Sequence, residues 1–192
     1  MVARWRLGRG DRGLGDQRGR TGHASNDRFH HRPGAPLRSG RKGGIQRNAL
    51  GRSRGGFTTK IHLRANAKGL PLATTLAPGE SHDVKGYEAL MEEPAPDPKV
   101  MLGDRGYDSD AIREDLEKRG AHPVIPTKRN RRVQIEIDGA VYALRNRIER
   151  CFNKLKNARR FATRYDKLAE TFGGFVQIAC IRLWMRYFVN ET

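Results

Sequence analysis

A chain of 192 residues is long enough for one domain with a real core. Its formal charge of +17, from 38 Lys and Arg against 21 Asp and Glu, points to a polyanionic partner, nucleic acid before an anionic membrane surface. Two cysteines, Cys151 and Cys180, far apart in sequence, exclude a disulfide framework and make no zinc site by themselves, which suits a reducing cytoplasm.

The charge is uneven. Residues 1–56 carry fourteen Arg and Lys against Asp11, Asp16 and Asp27, and thirteen of the 22 glycines. With almost no periodic apolar pattern, this segment cannot bury enough surface to offset its ordering entropy, and a disordered basic tail over residues 1–48 is expected. It has no apolar signal core. A folded domain is expected over residues 49–192.

Phe57, Thr59, Ile61 and Leu63 alternate with Thr58, Lys60, His62 and Arg64, which predicts a half-buried strand. Asn66-Ala67-Lys68-Gly69 is a turn, and residues 70–76 read as a second strand closed by Pro78-Gly79. Asp83 is placed to cap a helix through about Glu93. After a linker with Pro94, Pro96 and Pro98, the short apolar run 99–102 is of central-strand type and ends at Gly103-Asp104-Arg105-Gly106. Asp108 or Ser109 is placed to cap a helix over 110–119, which stops at Gly120. Residues 123–126 form a last strand, followed by the basic loop with Lys128, Arg129, Arg131 and Arg132.

A helix over roughly 141–160 follows, and then one over about 168–189, apolar on most sides and expected to be buried. The stretch 175–189 is too short for a bilayer span and carries Arg182 and Arg186. Two strands, then alternating helix and strand, then two helices indicate an α/β sandwich with a mixed sheet.

The spacing Tyr142-x2-Arg145-x3-Glu149-x6-Lys156 is the most informative feature. At about 100° per residue, with Tyr142 at zero, Arg145, Glu149 and Lys156 fall near −60°, −20° and −40°. Asn153 and Arg160 land beside them, near +20° and 0° on the same count of about 100° per residue. Val141, Leu144, Ile148, Cys151, Phe152 and Leu155 fill a separate packing arc. An ordinary i,i+4 Arg–Glu pair on a wet face explains the same pattern. Asp104, just past an apolar strand and between glycines, is either a turn Asp or a site residue at a strand's carboxyl end. Asp104 and Glu149 together are oxygen ligands of the kind hard divalent cations take, although a two-ion site needs one more acid.

These stretches resemble one family. Ala49-Leu-Gly-Arg-Ser-Arg-Gly-Gly-Phe57, Pro78-Gly-Glu-Ser-His-Asp83, Gly103-Asp-Arg-Gly-Tyr-Asp108 and Ile148-Glu-Arg-Cys-Phe-Asn-Lys-Leu-Lys156 look like the catalytic domain of bacterial insertion-sequence transposases of the DDE type. The Tyr–Arg–Glu–Lys spacing fits the signature of one group of them at all four positions. The resemblance implies an RNase H-like fold and DNA strand cleavage and transfer with Mg²⁺, or Mn²⁺ in its place. It implies double-stranded DNA of the element's ends and of the target as partner, and a homodimer assembled on that DNA. It makes Asp104 and Glu149 the second and third acids and metal ligands. Tyr142, Arg145 and Lys156 become DNA contacts; Asn153 is added from its place beside them on the stripe, and Lys128, Arg129, Arg131 and Arg132 from their charge. His82 and Asp83 match a recurring His-Asp, though a helix start with an exposed His explains them too. Such a protein belongs in the cytoplasm, on the nucleoid, with no membrane.

The family's first catalytic Asp lies in an apolar first strand resembling Met-Ile-Asp-Ser-Thr, and residues 1–56 contain no such stretch. Asp27 is at a suggestive distance, in a context that is not a buried strand. The sheet is therefore expected to lack its first strand and to expose an edge. Synonymous codons for residues 26–33 admit, one base later, the reading Met-Ile-Asp-Ser-Thr-Ile-Val. The expectation is that residues 1 to about 40 are out of frame, with the ancestral frame resuming near Lys42-Gly43-Gly44. Two rivals stand beside a degenerate transposase: a non-catalytic DNA-binding remnant that competes with intact transposase, and a basic RNA-associated protein.

Overall fold

The computed structural model describes residues 2–7, 48–53 and 56–191. The rest of the basic N-terminal segment, with Asp27 and the codons in question, lies outside them. In chain order the strands are β1 (Val2–Leu7), β2 (Gly51–Ser53), β3 (Gly56–Ala65), β4 (Pro71–Pro78), β5 (Val100–Leu102) and β6 (His122–Val124). The helices are α1 (Asp83–Glu92), α2 (Asp110–Lys118), α3 (Gly139–Ala143), α4 (Asn146–Lys156), α5 (Arg159–Ala162) and α6 (Ala169–Glu191), with a 3-10 turn at Arg105–Tyr107 between β5 and α2.

β3 is the spine. It pairs antiparallel with β1, from Val2 opposite Arg64 to Leu7 opposite Thr59, and antiparallel with β4, from Thr59 opposite Pro78 to Ala65 opposite Pro71. β2 pairs with the first three residues of β3. β5 and β6 form a separate parallel pair, so among the described residues the sheet is two pieces rather than one mixed sheet.

The two pieces share their cores. Ile61 and Leu63 of β3, Leu102 of β5 and Val124 of β6 pack with Ile148, Phe152, Phe161, Phe172 and Val176 of the C-terminal helices. Met101 and Ile125, one step along from Leu102 and Val124, pack with Leu90, Ile112 and Leu116 of α1 and α2. Successive strand residues point to opposite faces, so the strands lie between two helical layers, an α/β sandwich.

Five expectations need correction. Residues 2–7, assigned to the disordered segment, form β1. Ala3, Trp5 and Leu7 alternate with Arg4 and Arg6, a strand pattern of period two that the composition of the whole tail conceals. The edge of β3 expected to lie open is paired by it. Lys60, His62 and Arg64, expected on a half-solvated face, are buried under α1. The long helix over 141–160 is three shorter pieces. The last helix buries only the stripe Phe172, Val176, Ala179 and Leu183, while Ile178, Ile181 and Met185 are exposed.

Gly120 has φ +71°, a left-handed conformation that glycine adopts without strain, and it ends α2 where the sequence places the stop. Its N–H donates to Glu117 O at 2.9 Å and that of Ala121 to Leu116 O at 2.8 Å.

Candidate active site

The chain leaves β5 through Gly103 into a single 3-10 turn bounded by two carboxylates. Asp104 caps its start: the side chain accepts from the Gly106 N–H at 2.8 Å, and its carbonyl accepts from the Tyr107 N–H at 3.0 Å. Asp108 ends it, donating its own N–H to Arg105 O at 3.3 Å. Asp104 is half-buried and faces an open cleft of about 570 Å³ lined by Asp104, Arg105, Gly106, Pro126, Ile137 and Tyr142.

Beneath the turn lies a polar ladder on β3. Lys60 Nζ pairs with Asp83 Oδ1 at 3.0 Å, both side chains being at most 7% exposed, and donates to Ser81 O as well. His62 Nδ1 and Tyr107 Oη share a hydrogen bond of 2.7 Å. Arg64 donates to Met91 Sδ at 3.5 Å and to the Pro96 carbonyl. Burial pushes the Arg64 guanidinium below its ordinary pKa, and the Asp97 charge opposes that shift. The ladder was not foreseen as part of the site. The signal lay in the sequence as three basic residues at i, i+2 and i+4, but alternation assigned them to water.

The His-Asp pair divides. His82 is exposed at the N-cap of α1 and makes no capping bond. The carboxylate of Asp83, expected to cap the helix, instead meets Lys60 and lies against Gly106. A Cβ on Gly106 would overlap the Asp83 carboxylate and sit 2.8 Å from Asp104 Oδ1. Gly106→Ala is therefore expected to push the Asp104 turn away from α1. A loss of about 1–3 kcal/mol, the usual cost of overpacking, is expected in urea unfolding; an unchanged midpoint would show that the turn accommodates the methyl.

Tyr142 reaches the cleft from α3, which Asp138 caps by accepting from the N–H groups of Ala140 and Val141 at 2.8 and 3.2 Å. Between α3 and α4 the bonds are of i to i+3 type: Arg145 N–H to Tyr142 O at 2.9 Å and Ile148 N–H to Arg145 O at 3.0 Å. A 3-10 turn eclipses residues three apart, which brings the Arg145 guanidinium 5.6 Å from the Tyr142 ring centroid. Arg145 also pairs with Glu149 at 2.5 Å, and the Glu149 side chain is 51% exposed.

Asn153 is exposed and Lys156 half-buried on the same helix. Ile148, Cys151, Phe152 and Leu155 form the packing side as expected, whereas Leu144 is exposed. Burial pushes the Cys151 thiol up to about 12, so it carries no thiolate at neutral pH. Arg160 leaves the stripe: α4 ends at Lys156, and Arg160 of α5 lies 4.3 Å over the Phe175 ring and 3.6 Å from Asp166.

Asp104 and Glu149 bring hard oxygen donors. No three His, Cys, Asp or Glu among the described residues are placed to hold a metal together. Glu149 is engaged by Arg145 and Asp104 by the Gly106 amide. Among the described residues, this donor set falls short of a two-ion centre. None of their helices is long and apolar enough to cross a membrane.

Residues 24–184 match a family model described as a transposase DDE domain, a span that includes Asp27. A protein of Brucella ovis named as the transposase of insertion sequence element IS6501 is 35% identical over 134 residues, 68% of this chain and all of that protein. One of Burkholderia cepacia, named for element IS402, is 31% identical over 143 residues, 69% of this chain and 64% of that protein.

Proposed function

The chain belongs to the transposase DDE domain family, and from that premise we propose that it derives from a transposase performing metal-dependent DNA strand cleavage and transfer at insertion-sequence ends. The observation that supports the reading most is the cleft where Asp104 and Tyr142 meet, with Arg145 and Glu149 following on the next turn. In this proposal Asp104 and Glu149 ligate Mg²⁺, with Mn²⁺ as a substitute. Tyr142, Arg145, Asn153, Lys156 and cations of the basic loop contact double-stranded DNA at the terminal repeats, as a homodimer on the bacterial nucleoid. When bound, the metal would activate the attacking oxygen and stabilise the leaving one.

A specific observation favours a second reading for this copy, a non-catalytic DNA-binding remnant. β1, which pairs with β3, reads Val-Ala-Arg-Trp-Arg-Leu and has no acidic residue, and among the described residues no third acid joins Asp104 and Glu149 in a metal-holding group. The proposal is that residues 1 to about 40 are read out of frame and that the chain as it stands binds DNA without cutting it.

The nucleotide sequence of codons 1–56 decides the frame. If the shifted frame encodes an Ile-Asp-Ser/Thr strand, a frame-restored chain should nick DNA carrying the element's ends in Mg²⁺. Asp104→Asn or Glu149→Gln should then abolish the nicking, while the chain as given binds but leaves the DNA intact. Nicking by the chain as given would overturn the remnant reading, and Asp27, inside the matched span, would be the first acid to replace.

A further inference from the structure

The basic loop after β6 is not a set of equivalent cations. Its backbone turns on itself, with the Arg131 N–H donating to Lys128 O at 3.1 Å and Gln134 Nε2 bridging Lys128 O and Arg131 O at 3.2 and 2.8 Å. At the centre is Asp108, its side chain 2% exposed. Its Oδ2 accepts from the Lys128 N–H at 2.8 Å, and its Oδ1 from Arg113 Nη2 and Arg131 Nη1, each at 3.0 Å. Its carbonyl accepts from Lys128 Nζ at 3.0 Å. Arg113 continues to Ile125 O at 2.6 Å, and Arg131 reaches Asp110 as well. Burial opposes ionisation of Asp108, but the Lys128 amide, Arg113 and Arg131 outweigh it and hold the carboxyl below its ordinary range.

Arg129 and Arg132 are different. Both are exposed, and neither has an ion-pair partner among the described residues. The sequence shows only four cations in one loop; in the structure the loop is fastened, with two of them committed inward and two outward.

We infer that Asp108 is a positioning residue that ties the basic loop to the Asp104 turn, so that Arg129 and Arg132 meet DNA phosphates while Lys128 and Arg131 act as fasteners. Asp104 and Asp108 end the same 3-10 turn, so the two phosphate-facing guanidiniums are held at a fixed offset from the candidate catalytic acid. A DNA backbone gripped by Arg129 and Arg132 is thereby registered against Asp104. This inference rests on the DNA-binding reading given above.

The test is the salt dependence of binding by the full chain to a short duplex of arbitrary sequence, because phosphate contacts carry no sequence information. Each phosphate contact contributes a slope of about 0.9 in log affinity against log salt. Arg129→Gln and Arg132→Gln should each flatten the slope by about that amount, and Lys128→Gln and Arg131→Gln should leave it as it was. Asp108→Asn, if it folds by circular dichroism, should steepen the slope as Arg131 is released. A merely structural Asp108 would not change the slope in that direction. Arg131 is only partly buried, so its variant remains informative if Asp108→Asn does not fold. Flattening by Arg131→Gln equal to that by Arg129→Gln overturns the inference alone. A wild-type chain that binds no duplex at any salt overturns the DNA-binding reading and the inference with it.

Discussion

Asp83→Ala is expected to destabilise the protein by about 3–5 kcal/mol, read as a lower denaturant midpoint at unchanged slope. Asp83 and Lys60 are a buried pair at 3.0 Å, with side chains 7% and 5% exposed. Removing the carboxylate leaves an ammonium between β3 and α1 with no charge to answer it, and that uncompensated charge dominates the loss. The control is the double variant Lys60→Met with Asp83→Leu. It removes both charges at similar volume and should come within about 1 kcal/mol of wild type, because a buried ion pair gains little over well-packed apolar groups. A single variant that loses less than about 1 kcal/mol would mean that water reaches Lys60, and the ladder would then be a surface pair. The same pair bears on the site, since the Asp83 carboxylate lies against Gly106 and so against the turn that presents Asp104.

That ladder also marks where sequence reading loses contact with the fold. Alternation in residues 57–64 gives the strand and its two faces, because a strand's side-chain period is two. It cannot say whether a second helical layer covers the charged face, and here α1 does. The pieces of the long helix were hidden for a related reason. No Pro or Gly marks residues 144–146 or 157–158, and the break shows only as i to i+3 bonding and the extended Ala158. Angles counted at a constant period stay useful within α4 and fail beyond it, which is why Arg160 left the stripe.

The site divides the same way. Residues 103–108 and the Tyr–Arg–Glu–Lys spacing carry their meaning in local sequence and could be found by resemblance. The role of Asp108 depends on Arg131, which lies 23 positions away, and on Lys128, 20 positions away, so no local pattern records it. The exposed apolar stripe of α6 was missed because apolar residues on most sides of a helix read as burial on most sides.

Phe161→Ala should match the first variant in size, at about 3–5 kcal/mol, by leaving a cavity the neighbours only partly close. Phe161 is fully buried; its ring centroid lies 6.5 Å from that of Phe152, and its cluster joins α4, α5 and α6 to Ile61 and Leu63 of β3. α5 is a single turn, too short to hold itself in water, and Phe161 is the residue it buries. Ile148, Phe152 and Leu155 of α4 pack into the same cluster while Glu149 points outward from that helix. Loosening the cluster should therefore disturb the carboxylate's position as well as the stability. Phe161→Leu, which fills most of the space, should cost less than Phe161→Ala. Equal losses from the two would point to ring contacts rather than volume. A loss below about 1 kcal/mol from Phe161→Ala would show that the site collapses around the gap and that α4 is held chiefly from α6.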